Sequence, residues 1–326
     1  MNARRALVLL IGAGALAPGA LLAQPAKRVT VAVLFAGESD EDDPGLRPFF
    51  DEMQRLGWIE GRNVAYERFS GRGVREYAET LARSAVGIQP QLIYATTATS
   101  ALAALKATPS VPIVFTSASD PSAIGLVESL KRPGRNATGA YQQHNDLVAR
   151  RMQLVREALP AMKRVGVLLE RRAVAYERQR KLHEDAARAA GLELVPAEFT
   201  NFEAVAKMFA KFRRDGIRAV LTAPSFVLIA RRSEVSALAL RNRVAIVAHR
   251  SEWAESGALL SYGAHVVEAL RLSAALADRV LKGARPADIP VARATKLHLA
   301  VNLRSAKELG LGVPRQVVER ADLVIE

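Results

Sequence analysis

One pattern in this chain occurs twice, and it restricts the fold more than any other feature. Lys163-Arg164-Val165-Gly166-Val167-Leu168-Leu169 repeats the order of charged and apolar residues in Lys27-Arg28-Val29-Thr30-Val31-Ala32-Val33. Residues 186–190 with Gly191 echo a helical stretch that stops at Gly57, and residues 244–248 match residues 111–115. In both copies, short wholly apolar runs alternate with stretches at helical spacing. Apolar runs of about four to eight residues suit strands buried on both faces, as in a parallel sheet with helices on either side. The expected class is α/β, with two Rossmann-like lobes built on parallel sheets and a cleft between them.

In the first half, strands are expected over residues 29–35, 63–68, 92–95 and 111–115. Between the first two lies a helix bearing Leu46, Phe49, Phe50, Met53 and Leu56; further helices are expected over 74–86 and 101–106. The second half adds strands over 163–169, 193–197, 217–223 and 244–248, with a helix over 202–212. The Pro133-Gly134 turn and Tyr141 lie between the halves, where a first hinge strand would cross. A long helix over 265–282, stopped by Gly283 and Pro286, is expected to return to the first lobe. The strand 296–302 and helix 303–309 then join the second, giving a three-segment hinge. The lobes are expected to comprise residues 27–141 with about 262–288, and about 142–261 with 289–326.

Ligands of open α/β sheets bind beyond the carboxyl ends of the strands. Those positions here are Gly37, Thr96, Thr97, Ala98, Thr99, Ser117, Ala118 and Asp120 in the first lobe. In the second they are Glu170, Arg171, Ser225, Arg250 and Ser251. A helix starting near Thr97 would aim free backbone N–H groups at an anion, while Arg171 or Arg250 could clamp a carboxylate from the other side. Tyr141 or Tyr262 could stack on a flat ligand. The plainer alternative is structural: Thr97 or Thr99 as a helix cap, Asp120-Pro121 as a cap with Pro at the first helical position, and the arginines as surface charge. The same loop geometry serves both.

The remaining features narrow the function. Residues 1–23 read as a secretory signal peptide: Arg4-Arg5, an apolar body broken by Gly12, Gly14, Pro18 and Gly19, and Ala23 at the cut. Cysteine is absent, which excludes disulfides, thiolate metal sites and a lipid-bearing cysteine. The formal charge is +13, and it becomes +11 once the two arginines of residues 1–23 are removed. The basic residues are scattered along helices, and with an export signal this argues for a solvated surface and against nucleic acid. The five histidines never stand three or four apart. There is no Gly-x-Ser-x-Gly elbow or phosphate loop, so no metal, cofactor or catalytic group is expected.

Several runs are more specific than the fold. Pro112-Ile113-Val114-Phe115, Asp120-Pro121 and Gly125-Leu126-Val127, followed by Arg132-Pro133-Gly134-Arg135-Asn136-Ala137-Thr138-Gly139, resemble the "PIVF…DP…GLV" and "RPGGNVTG" signatures of one family. Leu260-Ser261-Tyr262-Gly263, residues 286–291 and residues 302–311 are similar to its tail. The family is the ABC-transporter substrate-binding proteins of the tryptophan/tyrosine-uptake kind. The resemblance implies a type I periplasmic-binding fold. It also implies a monomeric, non-catalytic periplasmic protein that captures a small solute, an amino acid or aromatic carboxylate, for an inner-membrane permease and its ATPase. Glu170-Arg171-Arg172 stands where the family more often has Asn-Pro, and Ser122 where Val is commoner. A ligand sensor for a kinase or chemoreceptor, and an exported hydrolase or isomerase, are the alternatives.

Overall fold

The computed structural model describes residues 28–37, 44–250 and 252–326. The signal peptide expected at residues 1–23, most of the acidic loop after the first strand, and Ser251 lie outside the described residues. The first group of strands is β1 (Val29–Phe35), β2 (Val64–Ser70), β3 (Leu92–Ala95), β4 (Ile113–Ser117) and β5 (Ala137–Tyr141). The second is β6 (Arg164–Glu170), β7 (Glu193–Phe199), β8 (Ala219–Thr222), β9 (Ala245–Ala248) and β10 (Leu260–Ala264). Last come β11 (Ala292–Arg293), β12 (Leu297–Asn302) and β13 (Leu323–Ile325). They form two sheets, ordered β2-β1-β3-β4-β5-β11 and β7-β6-β8-β9-β10-β12-β13. Every pairing is parallel except β10 with β12.

The helices are α1 (Arg47–Arg55), α2 (Tyr77–Gly87), α3 (Ala98–Ala107), α4 (Val148–Ala158), α5 (Tyr176–Ala189) and α6 (Phe202–Arg214). After them come α7 (Phe226–Ala230), α8 (Arg232–Arg241), α9 (Glu252–Glu255), α10 (Val266–Leu281), α11 (Leu303–Leu309) and α12 (Arg315–Val318). Strand alternation explains why helices cover both faces. Val31, Val33 and Phe35 of β1 pack with Phe49, Met53, Leu270 and Ala274. Ala32 and Leu34 point the other way, onto Ala78, Ala82, Ala101 and Ala104. In the second sheet Val165, Val167 and Leu169 join Met152, Val155 and Leu309, while Leu168 joins Phe209, Phe212 and Trp253. Each fully buried Val, Leu or Phe contributes roughly 1.5–3 kcal/mol, so Phe209→Ala would cost about 3–5 kcal/mol.

The chain passes between the sheets three times: after β5, between β10 and α10, and between β11 and β12. Two crossings fall later than the sequence boundaries. All of β10 pairs with β9 or β12, so the second passage comes at His265 and not near 262. Ala292 and Arg293 pair with Ala140 and Tyr141, which keeps them in the first sheet beyond residue 289. The backbone approach at the hinge is close. A side chain at Gly263 would run into the carbonyl of His249 and meet His144 Cε1 at 3.4 Å. Among the described residues no helix is long and apolar enough to cross a membrane.

Candidate functional site

Each sheet reverses its winding direction beside its first strand, between β1 and β3 and between β6 and β8. Loops leaving neighbouring strands diverge at such points and leave a crevice. The two crevices face each other and enclose a cleft of about 510 Å³, open side included. Its first wall is Arg75, Thr96, Thr97, Ala98, Thr99, Thr116, Ala118 and Ser119; its second is Ala173, Val174, Gln179, Pro224, Ser225, Phe226, Ile229 and Arg250. Gln142, on the first crossing, lines it as well.

The polar loops are pre-shaped by their own hydrogen bonds. Thr97 caps α3, its Oγ1 accepting from the Ser100 amide at 3.1 Å. Ser225 does the same for α7 through the Leu228 amide at 3.1 Å, and its hydroxyl donates to Glu170 Oε2 at 2.6 Å. The cap residues thus line the cleft while satisfying orphan helix donors. Behind the first wall, Tyr94, Thr116 and Ser273 form a hydroxyl chain with both links at 2.9 Å, fixing Thr116.

The lobes touch across the cleft mouth. Arg75, in the loop before α2, places Nε 2.5 Å from Oε1 of Glu170 at the end of β6. Arg172 and Glu76 form a second, more exposed ion pair between the lobes. Phe226 lies so close to Gly71 that a Cβ there would overlap the ring. Glu170 is 1 % exposed, and among the described residues its carboxylate oxygens meet Arg75 and Ser225.

Below the cleft the hinge holds a cluster of buried nitrogen groups. Arg151 of α4, also 1 % exposed, donates to the carbonyls of His144 and Tyr262 at 2.6 and 3.1 Å, tying two crossings together. Burial pushes its guanidinium down to about 9, against the opposing effect of Tyr262, so it stays charged at neutral pH. His144 and His249 meet edge to face with ring centres 4.5 Å apart. Burial first holds both well below the ordinary histidine value, aided for His144 by His249 and Arg151 and for His249 by Arg151 and Arg250.

Of the residues expected from sequence, Thr96, Thr97, Ala98, Thr99, Ala118, Ser225 and Arg250 line the cleft together. Glu170 stands behind Ser225 as its partner. The others have different surroundings. Ser117 is buried and its hydroxyl donates to the Ser119 carbonyl at 2.7 Å, shaping the loop from inside. Gly37 accepts from the Arg72 amide and the Ser70 hydroxyl beyond β1. Asp120 caps its own turn through the Ser122 amide and hydroxyl at 2.8 and 2.7 Å. Burial works against its charge, but those bonds and Arg178 leave its carboxyl below the usual range. Tyr141 packs in the core with Phe115 and Val291, and Arg171 turns outward to Glu198 at 3.1 Å. Tyr262 meets the hinge through its carbonyl.

Arg75, Gln142, Gln179, Phe226 and Ile229 were missed. Arg75 reads as one more surface cation until its partner, far along the chain, is known. Among the described residues no group of three or more His, Asp or Glu could hold a metal ion.

A family model described as "ABC transporter substrate binding protein" matches residues 29–325. A curated tyrosine-binding protein of Clostridioides difficile (strain R20291) is 27 % identical over 270 residues, which is 82 % of this chain and 77 % of that protein. The structure of a conserved domain protein from Vibrio cholerae superposes with a TM-score of 0.83 at 24 % identity, covering 91 % of this chain and all of that one. An ABC domain in complex with L-Trp from Streptococcus pneumoniae gives 0.81 at 21 % identity, over 92 % of this chain and 100 % of that one. The ligand-free, open structure of a substrate binding protein with adhesive properties from Clostridium difficile gives 0.62 at 23 % identity, over 91 % and 99 %.

Proposed function

The chain belongs to the ABC transporter substrate-binding protein family, and on that premise we propose that it traps one small solute between its lobes and presents the closed complex to a cognate permease. The observation that carries this is the cleft itself, whose walls come from the carboxyl edges of two separate sheets and meet through Arg75 and Glu170. A solute touching both walls favours the closed arrangement by its extra contacts there, and only that difference in affinity can drive closure. The protein acts without chemistry, as a monomer, outside the cytoplasm in the periplasm. Its lobes are residues 28–141 with 266–293, and 144–264 with 297–326.

The relatives named for tyrosine and holding L-Trp make amino acids and aromatic carboxylates the first ligands to try. Small-angle scattering of the emptied protein with and without its co-purifying solute, identified by mass spectrometry, tests the proposal. Compaction on adding the solute, recovered unaltered afterwards, is expected. An unchanged scattering profile, or a converted solute, would overturn it.

A further inference from the structure

Arginines and lysines that look scattered along the sequence collect in space at one end of the second lobe. β6, β8 and β9 lie side by side, with Gly166 opposite Val220 and Ala219 opposite Ala245, so Arg164, Arg218 and Arg243 stand together where these strands begin. The helices that feed β8 and β9 finish at the same edge, α6 on Lys211, Arg213 and Arg214 and α8 on Arg241. Lys307 joins them, because the carbonyls that close α11 accept from Arg218 and Arg243. All of these residues are exposed.

Little at this end offsets them. Glu157, Asp185, Glu193, Asp215 and Glu319 are each held in an ion pair already. Arg218 and Arg243 bond to carbonyls, which leave their charge intact. Lys163, Arg213, Arg214, Arg241 and Lys307 form no ion pair among the described residues, against Glu255 and Glu308 as nearby carboxylates without a cation. Gly37 and Pro44, which flank the acidic loop after β1, belong to the first lobe on the cleft side. The seven residues of β6 alone put roughly 23 Å between that side and this end. Helix ends attract cations in any case, through their dipoles. The first lobe, built on the same plan, shows that this does not account for the cluster. There β3 and β4 begin after Gln91 and Pro112, and α2, the counterpart of α6, has no basic residue in its last turn.

We propose that this end of the second lobe binds the surface of an anionic phospholipid membrane. Clustered Lys and Arg are drawn to anionic headgroups, and the attraction fades within a Debye length. The exposed large apolar side chains Ile59, Tyr77, Ile88 and Leu297 lie elsewhere, so nothing here enters the lipid tails and salt reverses the contact. The cleft opens at the opposite, carboxyl edge of the same sheet, so a protein held by this end keeps its solute site facing water. The family's partner is a membrane permease, and such a surface concentrates the protein in the layer where that partner stands.

Sedimentation of the full chain with vesicles tests this, using phosphatidylcholine alone and phosphatidylcholine mixed with phosphatidylglycerol. Binding is expected to the mixed vesicles at low salt and not to the neutral ones, with release at about 0.5 M salt. The triple variant Arg213→Glu, Arg214→Glu, Arg241→Glu should bind the mixed vesicles at least about 30-fold more weakly. The same three positions changed to Gln, which spares the helix ends a repelled carboxylate, should lose about tenfold. An equal charge change in the first lobe, Lys131→Glu, Arg132→Glu, Arg135→Glu, should stay within about threefold of wild type. Circular dichroism checks that each variant is folded. No binding to the mixed vesicles, or an equal loss in the two Glu variants, overturns the proposal, as does tighter binding to isolated peptidoglycan than to the vesicles. None of these outcomes bears on solute capture, which is read at the cleft.

Discussion

Nε of Arg75 and Oε1 of Glu170 lie 2.5 Å apart although they belong to different lobes. The Glu170 carboxyl is buried with Arg75 and Ser225 as its side-chain partners, and Arg75 can reach it only when the lobes meet. Removing one partner of a buried pair leaves an uncompensated charge, typically at a cost of about 3–5 kcal/mol. Here the molecule can escape that cost by opening and letting water in. Arg75→Ala should therefore shift the protein toward an open form, with a larger radius of gyration by scattering and solute affinity reduced about 10–100-fold. Each lobe keeps its own core, so the melting temperature of the unliganded protein should move little.

Gly71 offers an independent route to the same state. A larger side chain there collides with the Phe226 ring, and only when the lobes are together. Gly71→Leu should hinder closure and raise the solute off-rate, read by stopped-flow fluorescence, with the circular dichroism spectrum unchanged.

Thr97 carries two roles that substitution can separate. Its hydroxyl caps α3 and faces the cleft. Thr97→Ala should lower stability by about 1 kcal/mol in denaturant titrations and weaken solute binding. Thr97→Ser keeps the cap and should restore both.

Arg250 lines the cleft and is paired with Glu252. Arg250→Met keeps much of the side-chain volume and removes the charge. Calorimetry should show a carboxylate ligand losing about 2 kcal/mol, or roughly 30-fold, since hydrogen bonds to charged groups contribute about 1.5–3 kcal/mol.

Acid should destabilise the fold through its histidines. Burial holds His144 and His249 well below 6.5 and drives His183 down to about 4, against the Gln179 carbonyl that favours its charged form. The unfolded chain takes up protons on these rings near pH 6.5 while the folded chain does not. Their contribution is therefore complete above that pH and is lost as pH falls toward the folded-state values. Each ring contributes a slope of about 1.4 kcal/mol per pH unit in that window. Urea midpoints should be flat from pH 8 to 7 and fall steeply from pH 6 to 5. His249→Gln should make the fall shallower.

Much of this architecture was readable in the chain because parallel strands buried on both faces must be apolar throughout. Residues 31–35 and 92–95 are such runs, and both emerge within strands. The first wall was readable for a related reason, since Thr97 and its neighbours are cap residues placed after a strand. The second wall was harder to see. Phe226 and Ile229 read as core, and Gln179 as the outer face of a strongly polar helix, although Gln179 is 2 % exposed against the cleft. For Tyr141 the chain gave no sign that β5 turns its ring into the core. Ranking Arg75 above Arg171 needs the facing lobe, because both are loop cations followed or preceded by Glu in the sequence.

The pairing of Ala292 and Arg293 with β5 joins strands about 150 residues apart, and α10 covers the same sheet only after the second sheet's strands through β10 have been passed. A ribosome or translocation channel therefore releases nearly the entire polypeptide before the earlier lobe can be completed. Cutting this protein after residue 141 should yield an aggregation-prone fragment lacking both its edge strand and a covering helix, and non-local closure of this kind makes the lobe's assembly slow.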